Sequence, residues 1–160
     1  MAATVATPAD AAAVSDTLAR AFYDDPTWSW AFADPERRLE QQRAWWGLFV
    51  GSAIPHECVW MTEGCGAAAI FIPPGVPELN EEDEARSEVL LRELIGDRAD
   101  EVLELQAEFA ANHPSEPHYY LSLLGTHPEH RGKGLGMQLV ADNLESVSYT
   151  HLTLPTILRV

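Results

Sequence analysis

A chain of 160 residues with 25 acidic and 10 basic side chains, a formal charge of −15, has no basic surface with which to displace the counterions of a nucleic acid. Its length suits one domain with a proper core, and no apolar run approaches the length of a membrane span. Met1-Ala2-Ala3-Thr4 lacks the basic region and apolar core of a secretory signal, and two cysteines are too few for a disulfide framework. A cytoplasmic protein with two free thiols is therefore expected.

Thr4-Val5-Ala6 suits a short first strand. Thr7-Pro8-Ala9-Asp10 is a helix start, with Thr7 as N-cap, Pro8 in the first turn and Asp10 reaching back to the cap. Val14, Leu18, Ala21 and Phe22 give that helix one apolar face, and it should end before Asp25-Pro26. A loop over Asp24–Trp30 is expected next. A second helix starts at Asp34-Pro35 and carries Leu39, Trp45, Trp46, Leu48 and Phe49 to about Ile54. Glu57–Thr62 and Ala67–Ile72 predict a hairpin around the turn Glu63-Gly64-Cys65-Gly66, closed by Pro73-Pro74. Asn80 caps an acidic helix through Ile95, with Gly96 as its C-terminal stop. Asp97 opens another, with Val102, Leu103, Leu105 and Phe109 inside, ending near Asn112. Tyr119–Gly125 is apolar and short, as a largely buried strand requires, and Leu135, Leu139, Val140 and Leu144 then repeat at helical spacing.

Between that strand and that helix lies Pro128-Glu129-His130-Arg131-Gly132-Lys133-Gly134-Leu135-Gly136. Strand, glycine-rich turn and helix N-terminus together make an anion site, because unpaired N–H groups converge where the helix dipole is positive. The glycines let the backbone approach a phosphate, and Arg131 and Lys133 form a positive island on an acidic chain. A nucleotide P-loop is excluded because Gly134, and not Ser or Thr, follows Lys133. The dinucleotide fingerprint fails too, since its last glycine falls on Met137 or Leu139. The bland alternative is a surface turn that binds nothing.

What remains, Arg131-x-x-Gly134-x-Gly136 preceded by Leu123-Leu124-Gly125-Thr126-His127-Pro128, resembles the pyrophosphate loop of the GNAT acyl-CoA-dependent N-acetyltransferases. The element order β-α-α-β-β-α-α-β-α matches the front of that fold, a mixed central sheet flanked by helices, with an enlarged helical insert before the fourth strand. The resemblance spans Thr4 to Ser146, and its specific part is residues 119 to 140. It implies an α/β (α+β) domain over 1–146 that transfers an acetyl group from acetyl-CoA to a primary amine of a small molecule or peptide, without a metal. It also implies that Leu124, Gly125 and Thr126 hold the pantetheine arm and that Arg131, Gly132, Lys133, Gly134, Leu135 and Gly136 wrap the pyrophosphate.

From Val147 the chain departs from that pattern. Val-Ser-Tyr-Thr-His-Leu-Thr-Leu-Pro-Thr resembles a translated transposase sequencing adapter, and the alanine-rich, acidic composition stops at Ser146 in mid-helix. Residues 147–160 are thus expected to be a non-native tail. The competing reading is a genuine terminal strand, since Thr150–Leu154 alternates. On the first reading the fold is incomplete after the fourth strand and its helix, and this chain is expected to be truncated and inactive as given.

The family's acid, a tyrosine beyond the fifth strand, then has no counterpart, and Tyr149 falls in the suspect tail. Tyr120, Ser122 and Glu129 are weak catalytic candidates; Tyr119, His118, His127 and His130 lie nearby. A zinc site from His113, His118, His127 and His130 is rejected, because the spacings fit no familiar pattern and no cysteine joins them. Asp24, Asp25 and Trp28 are the expected acceptor-side wall, through carboxylate pairing and cation–π contact, against the plain alternative of Trp28 and Trp30 as core anchors. Twelve carboxylates against three arginines over 78–108 suit solvated helices, or a field attracting a cationic acceptor. A non-catalytic acyl-CoA-binding or regulatory module is the alternative function, and a fragment exposing an unpaired strand edge is a third.

Overall fold

The computed structural model describes residues 2–150, the side chains of 148–150 excepted. Most of the tail expected to be non-native, 151–160, and the side chain of Tyr149 lie outside the described residues. The elements are β1 (Thr4–Val5), α1 (Ala11–Phe22), α2 (Pro26–Ala31), α3 (Arg38–Ala53), β2 (Val59–Met61), β3 (Ala67–Ile72), α4 (Glu81–Ile95), α5 (Ala99–Ala111), β4 (Tyr120–Thr126) and α6 (Leu135–Thr150). Among the described residues one sheet forms, in the order β1-β2-β3-β4 with every pairing antiparallel. The expected mixed α/β class is what the chain adopts.

β3 shows why the layers form. Its six residues are all buried, as a strand covered on both faces must be. Ala68, Ile70 and Ile72 point into the larger core with α1 and α3, while Ala67, Ala69 and Phe71 meet Leu139 of α6 on the other face. The larger core is aromatic: Trp46 contacts Phe22, Trp28 and Phe49, with ring centroids 5.3, 4.8 and 5.8 Å away. α3 runs between α1 and the insert, so even Gln41 and Gln42 are buried. Their amides donate to the Leu94 and Phe22 carbonyls, and Gln42 Oε1 accepts from the Trp46 indole at 3.2 Å. The hairpin, the Asn80 cap (Asp83 N–H to Asn80 Oδ1, 2.8 Å) and the left-handed Gly96 occupy their expected places. Both cysteines are free and buried, and burial pushes the Cys58 thiol up to about 11.

Five boundaries differ from expectation. The first helix opens with a 3-10 turn over Pro8–Asp10, in which the Thr7 N–H donates to Asp10 Oδ2 at 2.8 Å. The expected loop over 24–30 contains α2: Asp25 is its N-cap, accepting from the Thr27 and Trp28 amides, and Pro26 stands in its first turn. α3 starts at Arg38, because Asp34 first closes a separate turn by accepting from the Glu36 amide. β4 starts at Tyr120 and not at Tyr119. α6 continues through the composition change at Ser146 to Thr150, with Val147 buried.

Candidate functional site

Most of the residues singled out in the sequence lie at the two ends of β4. At its C-terminal end the chain leaves the sheet through a tether, the His127 N–H donating to the Gly66 carbonyl at 2.8 Å. A 3-10 turn over Pro128–His130 follows, with the Glu129 N–H donating to His127 Nδ1 at 3.1 Å. Gly132 and Gly134 then take φ of +81° and +73°, left-handed values that disfavour a side chain, and nothing lies within 4 Å of where a Cβ would project from either. The loop therefore presents bare backbone to open space. α6 begins directly behind it, with the Gln138 N–H donating to the Gly134 carbonyl at 3.0 Å; the amides ahead of Gln138 are those that a helix start leaves without an intrahelical carbonyl. Arg131 and Lys133 belong to this loop, both exposed; Arg131 donates to the Ala21 carbonyl of α1 at 3.1 Å, and Lys133 Nζ stands 3.3 Å from His130 Nδ1. Gly136 faces the strand, where a Cβ would stand 3.4 Å from Thr126 Oγ1, so α6 can approach β4 closely.

β4 is the outer strand of the sheet among the described residues. Backbone groups of successive strand residues point to opposite edges. The His127 N–H points to the β3 side, and Gly125 pairs with Ala68, whose neighbour Ala67 turns its carbonyl to Thr62 on the β2 side. Gly125 and Leu123 thus bond towards β3, and the N–H and C=O of Leu124 and Thr126 face the open edge. Gly125 has a different reason to be glycine: a Cβ there would stand 2.7 Å from Ala21 Cβ, inside the packing of α1 on the sheet.

Halfway along β4 the register shifts. Ile70 pairs with Leu123 but Phe71 with Leu121, so Ser122 is an extra residue, a β-bulge. Its hydroxyl donates to Glu78, from the loop between β3 and α4. That loop is pinned to α3 by the Asn80 N–H donating to Ser52 Oγ at 2.7 Å. Burial raises the Glu78 carboxyl above its ordinary range, and the nearby Glu84 adds to this, against the Ser122 hydrogen bond and the field of His113. Burial, then the Glu78 carboxylate, likewise raises the Tyr120 phenol. Tyr120 packs against His113 with ring centroids 4.2 Å apart, and His118 stands behind them.

The structure therefore gathers Leu124, Thr126 and Arg131 through Gly136 at one end of β4, and Tyr120 and Ser122 at the other. Glu129 is exposed on the turn. Asp25 is occupied as a helix cap and Trp28 packs edge-on to Trp46, while Asp24 is exposed beside them; these three lie at the α2 corner. Four of the histidines fall into two pairs, His113 with His118 and His127 with His130, and among the described residues no three metal-ligating side chains are grouped. Glu78 was not legible as a site residue. It heads the acidic stretch, although one signal sets it apart: it follows Pro77 and precedes the Asn80 cap, outside the solvated helix.

No protein-family model matches the chain. In overall structure it is similar to a crystal structure described as histone acetyltransferase HPA2 and related acetyltransferase, from Corynebacterium glutamicum ATCC 13032. The match has a TM-score of 0.60 and 22% sequence identity, covering 91% of this chain and 71% of that one. The fold is thus GNAT-like. Among the described residues no helix is long and apolar enough to cross a membrane.

Proposed function

We propose that this chain holds acetyl-CoA for transfer of its acetyl group to a primary amine. The observation that carries this reading is the loop Arg131–Gly136: two left-handed glycines facing open space, two exposed cations and the start of α6, set beside the open edge of β4. A pyrophosphate placed there accepts from backbone N–H groups and lies in the positive field of the helix, an effect of roughly 0.3 to 2 kcal/mol for the dipole alone. The pantetheine amides extend the ladder along Leu124 and Thr126, which directs the thioester towards Ser122. The amine nitrogen then attacks the thioester carbonyl; a C–N bond forms, the C–S bond breaks, coenzyme A leaves with the electron pair of sulfur, and the nitrogen gives up a proton. Holding both reactants in line supplies most of the acceleration.

Calorimetric titration of the full chain with acetyl-CoA tests this. Saturable binding is expected, weakened about 100-fold, or ~2.7 kcal/mol, in Gly134→Trp, whose side chain would fill the open space beside the loop. Unchanged affinity in that variant, with its circular dichroism intact, would remove the loop from the reading.

A further inference from the structure

Next to the bulge lies a cavity of about 450 Å³ that the cofactor path does not use. It is bounded by the loop after β3, the end of α5 and the segment leading into β4. Its polar side chains are Glu78, Glu116, His113, His118, Ser115 and Tyr120, two of them carboxylates. Glu78 offers a carboxylate, and the His118 Nδ1 stands 2.8 Å from the Glu116 carbonyl, which can only accept, so in the neutral ring the proton sits on Nδ1 and the lone pair on Nε2. That Nε2 is buried without a partner among the described residues, an acceptor that lacks its donor. The Tyr120 and His113 rings add aromatic faces, and no lysine or arginine lines the space. Ser115 and Glu116 lie on the same wall, and Pro73, Val76, Pro77 and Pro117 supply apolar surface.

We infer that this cavity binds the acyl acceptor, a primary ammonium on a compact apolar body, with its nitrogen held by the Glu78 carboxylate beside the His113 and Tyr120 rings. An ammonium has three donors and a positive charge, which two carboxylates in a lining without lysine or arginine complement. The aromatic faces attract the same charge, and the prolines suit an uncharged body better than a second cation. Position agrees: Ser122, the partner of Glu78, is four residues from Thr126, so the carboxylate lies about 13 Å along the strand from the loop at roughly 3.3 Å per residue. Glu78 is also placed to take the ammonium proton, freeing the nitrogen lone pair for attack, and burial suits it to that exchange. That the occupant is an acyl acceptor rests on the acetyl-transfer reading; the preference for an ammonium does not.

The test titrates the full chain with 2-phenylethylammonium and, separately, with 3-phenylpropionate, which has a similar body and the opposite charge. Saturable binding of the ammonium alone is expected, weakened at least 10-fold in Glu78→Gln. Ala110→Trp, at an exposed position on α5 that lines the cavity away from Glu78, should weaken it as much by filling the space. Acetyl-CoA affinity should stay unchanged in both variants. Equal binding of the two probes, no binding of either, or an ammonium affinity indifferent to both substitutions would overturn the inference. If the ammonium binds as expected and acetyl-CoA does not, the cavity stands and the acetyl-transfer reading falls; the reverse result sinks only the cavity.

Discussion

The two ends of β4 are built in opposite ways. The loop end is local: nine consecutive residues, Pro128 to Gly136, supply its turn, glycines, cations and helix start. The carboxylate end is assembled from three separate segments, with Glu78 after β3, His113 and His118 after α5, and Tyr120 and Ser122 on β4. A site of the first kind can be recognised before folding, because spacing encodes its geometry. A site of the second kind exists only once the sheet and the insert have packed.

That difference can be broken from the scaffold outward. Trp46→Ala should cost about 3–5 kcal/mol, because it removes the ring at the centre of the aromatic core. Both ends of β4 hang from that core, so thermal unfolding followed at each should shift together; separate transitions would show two independent units. Arg131→Ala and Lys133→Ala should each weaken acetyl-CoA about 3- to 10-fold and flatten its dependence on salt, while leaving ammonium binding untouched. Titrations at two ionic strengths read this, and an equal salt response in the variants and the parent would deny the loop its electrostatic role.

The smallest expected effect sharpens the carboxylate end. The carboxyl of Glu78 is raised in the folded state above its ordinary 4.5, chiefly by burial. The folded protein therefore holds that proton more tightly than the unfolded chain, and stability falls as pH rises from about that value through the folded one. Ser122, Tyr120, His113 and Glu84 face the same carboxylate and set the size of the fall. Chemical denaturation at several pH values should show the fall reduced in Glu78→Gln. Asp16 acts in a separate window: burial would raise it, but hydrogen bonds from Arg20 and Arg43 outweigh that and hold it below 3.8. Its contribution is lost only as pH falls below that range. A Glu78→Gln variant with the parent's pH profile would show a carboxylate open to water.

The same contrast explains what could be foreseen in the fold. The hairpin, the Asn80 cap, the Gly96 stop and the loop into α6 are each specified by residues a few positions apart, and each is where its residues put it. α2 is local as well, yet the sequence there reads as a loop, because Asp25-Pro26 ends one helix and starts the next. Those two residues repeat the cap-and-proline signature of Thr7-Pro8, and only the packing of Trp28 on Trp46 favours continuing as helix. The parity of β4 was not local at all. Simple alternation puts Tyr120, Ser122 and Leu124 on one face, whereas Leu121 and Leu124 share the α6 face while Tyr120 and Leu123 meet the main core. Neighbouring strands decide that shift, and no pattern within seven residues announces it.

The bulge at Ser122 thus acts as a clutch between two halves of one strand. The half from Leu123 to Thr126 keeps step with β3 whatever happens upstream, so the loop and its helix are carried on an undisturbed ladder. The half before it turns by one residue and offers a hydroxyl to Glu78. Removing that single residue would re-engage a regular ladder, leave the loop where it is and disconnect the carboxylate. The two ends of β4 are therefore free to diverge separately in descendants of this chain, one holding its partner while the other changes what it accepts.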